Sequence, residues 1–198
     1  VSELKLRLGA DVVQALLPHR APLLLVDRVE SITPGAEPSL RAGRAISVNE
    51  PVFQGHFPGL SLWPGIYTIE GMGQSCQLLQ ILLAVIEGFE RAGQTAATVA
   101  DVLRAMDPRA RLRGVAASPF EPALRERLAA EARVAVSAAV DVRLLDPVFA
   151  GDVVEYEVRR TLVRDNIRRF EVQASVDRRP VARGTLTAAI LGPPPNAP

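Results

Sequence analysis

Hydrophobic and polar positions along this chain follow two periods, helical and strand-like, and where one gives way to the other marks the expected elements. In GADVVQALL, residues 9–17, Val12, Val13, Leu16 and Leu17 recur at helical spacing and stop at Pro18, which predicts a short N-terminal helix. APLLLVDRVESI, residues 21–32, reads as a strand, with a Pro34-Gly35 turn before a second strand near Leu40–Val48. A loop dense in glycine and proline follows, and from Ile66 to about Arg91 no breaker other than glycine interrupts a run of Leu, Ile, Val and Met. A helix apolar on nearly every face is a buried helix.

The C-terminal third alternates in the strand manner through ARVAVSAAVDVRLL, GDVVEYEVRRTLVR, NIRRFEVQASVD and RPVARGTLTAAIL. Turn signals at Ala150-Gly151-Asp152, Asp165-Asn166 and Asp177 to Pro180 separate these segments as an antiparallel meander requires. The order of strands, one long buried helix and more strands predicts a single α+β domain over residues 1–191 whose antiparallel sheet wraps a central helix. The Pro-rich tail, residues 192–198, reads as a terminal linker.

Composition narrows the function without naming it. The chain has 198 residues, 48% of them hydrophobic, and a formal net charge of +1, so no large field draws in nucleic acid or a membrane. A single cysteine, Cys76, supplies neither an internal disulfide nor a thiolate cluster for zinc. The N-terminus lacks the basic and apolar regions of a leader, and the longest apolar run, Ile81 to Ile86, falls short of the ~20 residues that cross a bilayer. A cytoplasmic chain is the expectation.

The candidate chemistry lies in FQGHFPGLSLWPGIYTIEGMGQ, Phe53 to Gln74, which holds one of the two histidines, His56, and a carboxylate, Glu70, in an otherwise apolar segment. A histidine titrates near neutrality and suits a base, whereas a carboxyl in an apolar helix is pushed toward its neutral, proton-donating form. Pro64 and Gly65 stand where the buried helix should start, so free N–H groups and the positive end of the helix dipole gather there. Gly65 permits close approach, and its N–H could polarise a carbonyl.

Three segments carry a family resemblance: LLPHRAPLLLVDRV from Leu16, VNEPVFQGHFPGLSLWPGIYTIEGMGQ from Val48, and DPVFAGD from Asp146. In that order they closely resemble the FabZ-type 3-hydroxyacyl-acyl-carrier-protein dehydratases, which have the hot-dog fold. The combination of GHFPG with PG-x₄-E is specific to it, and the similarity covers roughly residues 10–88 and 134–191. The resemblance implies dehydration of a (3R)-3-hydroxyacyl thioester to the trans-2-enoyl thioester, with His56 as base, Glu70 as acid and Gly65 as carbonyl donor. Phe57, Pro58, Gly59, Trp63, Pro64, Tyr67 and Gln74 would then bind substrate. It implies no metal or other cofactor, since the acyl group rides on the phosphopantetheine arm of an acyl carrier protein. It also implies a homodimer in which the histidine loop of one subunit meets the carboxylate of the other.

Plainer readings stand beside these. His19, in the PHRAP turn, matches a structural family position and reads as loop packing or hydrogen bonding. Trp63 and Tyr67 either line an acyl tunnel or pack at the junction of loop and helix. Cys76 reads as a helix-packing residue rather than a nucleophile. The same fold hosts thioesterases, and a half-active subunit paired with a related hot-dog chain is a further alternative; isomerising relatives usually carry aspartate where Glu70 stands. The chain departs from compact relatives by an insertion of about 40 residues, roughly 92–132. It predicts a helix over Ala97–Met106 and another from Ser118-Pro119, forming either a lid over the tunnel or a docking surface. Arg109, Arg111, Arg113, Arg164, Arg168 and Arg169 read individually as solvated surface or together as contacts to an acidic carrier. The insertion and tail tilt the pathway expectation toward polyketide rather than primary fatty-acid synthesis.

Overall fold

The computed structural model describes residues 2–130 and 135–191. The Pro-rich tail and the last residues of the expected insertion lie outside that range. The strands are β1 (Leu4–Leu8), β2 (Arg28–Thr33), β3 (Ser39–Ala45), β4 (Ala135–Leu144), β5 (Val153–Arg164), β6 (Ile167–Val176) and β7 (Arg179–Ile190). They form one seven-stranded sheet in the order β1-β2-β3-β5-β6-β7-β4, with every neighbouring pair antiparallel.

The sheet curls around α2 (Gly65–Arg91), which packs against β3 through β7. This is the hot-dog arrangement that the resemblance implied. Met72, Leu78, Leu79, Leu82 and Val85 of α2 are almost completely buried, against Val154, Tyr156 and Val158 from alternate positions of β5 and Phe170 of β6. Each such side chain contributes about 1.5–3 kcal/mol on leaving water, so the helix is held by its surroundings rather than by its own propensity. By length and composition α2 would also pass for a membrane span, but 61% of its most apolar window is buried inside this fold.

Three expectations need correction. The first predicted strand starts only at Arg28: Leu25 and Val26 are fully buried in an irregular crossing, and their apolar run reflects burial rather than pairing. An N-terminal strand, β1, precedes α1 (Ala10–Leu16); it is too short to show a period in the sequence. The C-terminal strands are not one meander, because β4 pairs with β7 rather than β5 and forms an outer edge of the sheet.

The insertion folds as α3 (Ala96–Met106), α4 (Pro108–Leu112) and α5 (Glu121–Ala130). Thr95 caps α3 by accepting the Thr98 N–H, and Asp107 caps α4 by accepting the Arg109 N–H. Val99, Val102, Leu103 and Leu124 are buried where α3 and α5 meet α2, and α3 also packs on β1. The guanidinium of Arg127 lies 6.0 Å from the Phe89 ring. The insertion therefore extends the core around one flank of α2. Ser118 starts a turn rather than the helix itself, which begins at Glu121. Arg109 is paired with Asp107 and Arg111 with Glu121, so these two arginines hold the insertion together.

Candidate active site

The histidine loop is built by backbone clamps. Phe57 and Leu60 exchange both of their backbone hydrogen bonds, at 2.8 and 2.9 Å, across a turn that needs the positive φ of Gly59, +82°. The loop is then pinned to the DPVFAGD segment: the Trp63 N–H donates to the Val148 carbonyl, and the Ala150 N–H to the Ser61 carbonyl. Gly151 and Asp152 tie that segment in turn to Ile46 through two backbone bonds. The third family motif thus acts as the anchor of the second.

His56 sits in this clamp with Nδ1 2.8 Å from the Leu62 carbonyl oxygen. A carbonyl can only accept, so in the neutral ring Nδ1 carries the proton and the lone pair is on Nε2, the tautomer a general base requires. Phe57, 48% exposed, stacks on the imidazole at a centroid distance of 4.2 Å and fixes its plane.

Glu70 lies in the second turn of α2, beside Gln74 one turn on. The Gln74 amide oxygen accepts the Leu25 N–H at 2.8 Å, and its amide nitrogen donates to the Leu23 carbonyl at 2.6 Å and to Glu70 Oε1 at 3.0 Å. All three partners together leave one orientation for the amide. Because Oε1 receives an N–H, a proton on Glu70 resides on Oε2. His19 adds a second neighbour, with Nε2 3.6 Å from Oε1. The PHRAP turn, expected to serve loop packing or hydrogen bonding, brings its histidine and the backbone of Leu23 and Leu25 to the Glu70–Gln74 pair. The apolar run after PHRAP is the only sequence sign of that. Glu70 is not enclosed by its own subunit, since its side chain is 45% exposed in the single chain. The burial expected from the apolar helix is thus incomplete here.

Gly65 is the first residue of α2, with Pro64 as its N-cap in extended conformation, and its N–H makes no hydrogen bond among the described residues. A Cβ at Gly65 would lie 2.3 Å from Leu144 Cδ1, so glycine here makes room for the tip of that leucine. Trp63 is 2% exposed, with Phe53 and Tyr67 edge-on to it and the Arg44 guanidinium 6.0 Å from its ring. Arg44 in turn bonds Asp27, Glu50 and the Leu24 carbonyl. Of the two readings of Trp63, packing is the one its surroundings fit.

His56 and Glu70 form no hydrogen bond or ion pair with each other. Glu70, Gln74 and His19 line a cavity of about 470 Å³ between α2 and the inner face of β4–β7, whereas His56 and the other loop residues Phe57, Pro58 and Gly59 do not. No described residue of the insertion lines it either; the inserted helices pack on α2, on β1 and on each other. Cys76 is buried, and burial pushes its thiol far above the usual range, which removes it from nucleophilic chemistry. Among the described residues no group of His, Cys, Asp and Glu is placed to hold a metal ion.

The FabA-like domain family matches residues 17–108. Over 180 residues the chain is 31% identical to the 3-hydroxyacyl-[acyl-carrier-protein] dehydratase FabZ of a Nitratiruptor species, a match covering 90% of this chain and 95% of that protein. With FabZ of an Anaeromyxobacter species it shares 43% identity over 74 residues, 37% of this chain and 46% of that one. Among solved structures, the dehydratase heterocomplex ApeI:P from Xenorhabdus doucetiae superposes with a TM-score of 0.52 at 18% identity, covering 91% of each chain.

Proposed function

Because the chain belongs to the FabZ-type 3-hydroxyacyl-[acyl-carrier-protein] dehydratase family, we propose that it removes water from a carrier-bound (3R)-3-hydroxyacyl thioester to give the trans-2-enoyl thioester. The observation that carries this reading is the His56 Nδ1–Leu62 contact, which in the neutral ring puts the proton on Nδ1 and turns the Nε2 lone pair toward a proton on the carbon beside the thioester carbonyl. The electron pair of that C–H bond becomes the new double bond as the 3-hydroxyl departs. Glu70 supplies the leaving hydroxyl with the proton held on Oε2, so that water rather than hydroxide is released. The Gly65 N–H, at the positive end of α2, stabilises charge that builds on the thioester oxygen.

The two halves of this machinery meet between subunits. β4 is an outer strand of the sheet, and Val140 and Leu144 lie exposed on one of its faces. A homodimer joined there covers that face and gives the half-exposed Glu70 a partner histidine loop. The carrier protein delivers the acyl group on its phosphopantetheine arm, and the reaction itself draws on His56, Glu70 and Gly65 without a further cofactor. A reducing, cytoplasmic setting suits the lone buried thiol.

The test is mass spectrometry of a panel of 3-hydroxyacyl-carrier-protein thioesters incubated with the wild-type chain, His56→Ala and Glu70→Gln. Loss of one water in the wild-type reaction alone is expected. A folded wild-type chain that leaves every substrate unchanged overturns the reading.

A further inference from the structure

The cavity that starts at Glu70 does not continue as an apolar tunnel. Along α2 its wall carries Gln77, Gln80, Glu87 and Arg91, a polar stripe on a helix that looks apolar all round in sequence. The facing strands continue the same character. The inward row of β5 runs Val154, Tyr156, Val158 and then Arg160, and that of β6 runs Val176, Ala174, Val172, Phe170 and then Arg168. Strand alternation thus aims two arginines at the side that is otherwise core, at the same end of the cavity.

Arg160 is the less satisfied of the two. Its side chain is only partly exposed, forms no ion pair among the described residues, and donates one long hydrogen bond, 3.4 Å, to Gln80 Oε1. Loss of solvation pulls its pKa below the ordinary guanidinium value, against the pull of Glu87. The Gln80 amide nitrogen beside it is covered and has no partner among the described residues. Arg168, by contrast, uses Nη1 on the carbonyls of Asp165 and Ile167. Partly desolvated charge and a covered N–H both incur a free-energy penalty until an acceptor arrives. At this end of the cavity Arg91, Arg160 and Arg168 stand against the single carboxylate of Glu87, which makes that acceptor anionic.

We propose that this cavity binds an acyl chain ending in a carboxylate, held by Arg160 with Gln80 positioning its guanidinium. The assignment rests on the dehydratase reading for which end of the chain reacts. Gln80 follows Glu70 by ten residues, about 15 Å along the helix axis at 1.5 Å per residue. An extended chain advances about 1.2 Å per bond, so roughly twelve bonds separate the reacting carbon from the carboxylate. Ile81, Phe170 and Leu186 supply apolar wall for the methylenes between. The phosphate of a carrier arm carries the same charge, but the arm attached to it is a polar amide chain, a poorer match than methylenes to the apolar wall of Ile81, Phe170 and Leu186.

Calorimetric titration of the full chain separates these sources. The probes are N-acetylcysteamine thioesters of saturated monocarboxylic acids, the corresponding mono-thioesters of α,ω-dicarboxylic acids of about ten to sixteen carbons, and phosphopantetheine, each against wild type, Arg160→Gln and Gln80→Leu. A preference of about tenfold or more for a diacid over the monoacid of equal length is expected, and both variants should erase it. Equal affinity for the two acids, a preference that survives in Arg160→Gln, or a loss confined to phosphopantetheine overturns the assignment. Thermal melts confirm that each variant is folded, and Gln80→Leu carries the test if Arg160→Gln is not. Binding is read without turnover, so its outcome is independent of the dehydration assay. Diacid selectivity without dehydration removes the reaction and keeps the site; dehydration without diacid selectivity does the reverse.

Discussion

His56 Nδ1 lies 2.8 Å from the carbonyl oxygen of Leu62, six residues on in the same loop. That one contact sets the tautomer, the ring orientation and the free nitrogen of the proposed base. His56→Ala therefore removes proton abstraction while the loop keeps its backbone clamps to Val148. Turnover is expected to fall by about 10²–10⁴-fold with an unchanged melting temperature, measured on a carrier-bound 3-hydroxyacyl substrate.

If the base and the acid of each site come from different subunits, two dead variants restore each other. Mixing His56→Ala with Glu70→Gln under exchange conditions should recover about a quarter of wild-type activity, because half of the dimers are mixed and each holds one intact site. Assays before and after exchange test this. Recovery absent from demonstrably mixed dimers means that the pair acts within one chain.

Gln74 is 1% exposed and satisfies the Leu25 N–H, the Leu23 carbonyl and Glu70 Oε1 at once. Gln74→Leu strands the buried Leu25 N–H on the crossing segment, which costs about 1–3 kcal/mol. Denaturant unfolding should show that loss, together with lower activity through a misplaced Glu70.

Two glycines that look alike in sequence should respond differently to alanine. At Gly71 the new Cβ would lie 2.3 Å from the hydroxyl of Tyr156, which is 1% exposed, whereas at Gly65 it meets only the tip of the half-exposed Leu144. Gly71→Ala is expected to destabilise by about 1–3 kcal/mol. Gly65→Ala should leave stability nearly intact and reduce turnover, by crowding the N–H proposed to meet the substrate carbonyl. Unfolding curves beside kinetics separate the two.

Acid should loosen the insertion. The hydrogen bonds from Arg109 hold the Asp107 carboxyl below the usual carboxylate range, against the opposing effect of burial. A depressed carboxylate contributes stability that is present above its unfolded pKa of about 3.9 and lost as pH falls through the lower folded value. Amide exchange of α3 and α4 should accelerate below about pH 4, and Asp107→Asn should flatten that dependence.

Much of the machinery is legible in local sequence because local chemistry produces it. A Gly-Pro loop around His56, a proline and glycine at the start of α2, and turn residues between β5, β6 and β7 act over a few neighbours, and the order of these motifs points to the family. The length of α2 and the alternation of β5 to β7 follow from the same short-range periodicity. Apolar runs speak only to burial: LLLV at residues 23–26 reads as a strand and is a buried crossing held by Gln74, about fifty positions away. Other relationships depend on distant segments meeting. The placing of β4 against β7, the approach of His19 to Glu70, the packing of the insertion on α2 and β1, and the inward aim of Arg160 beside Gln80 all join residues far apart in the chain. Periodicity gives a residue's face but not what that face meets, so an arginine among surface arginines and one turned into a cavity look the same until the sheet closes around the helix.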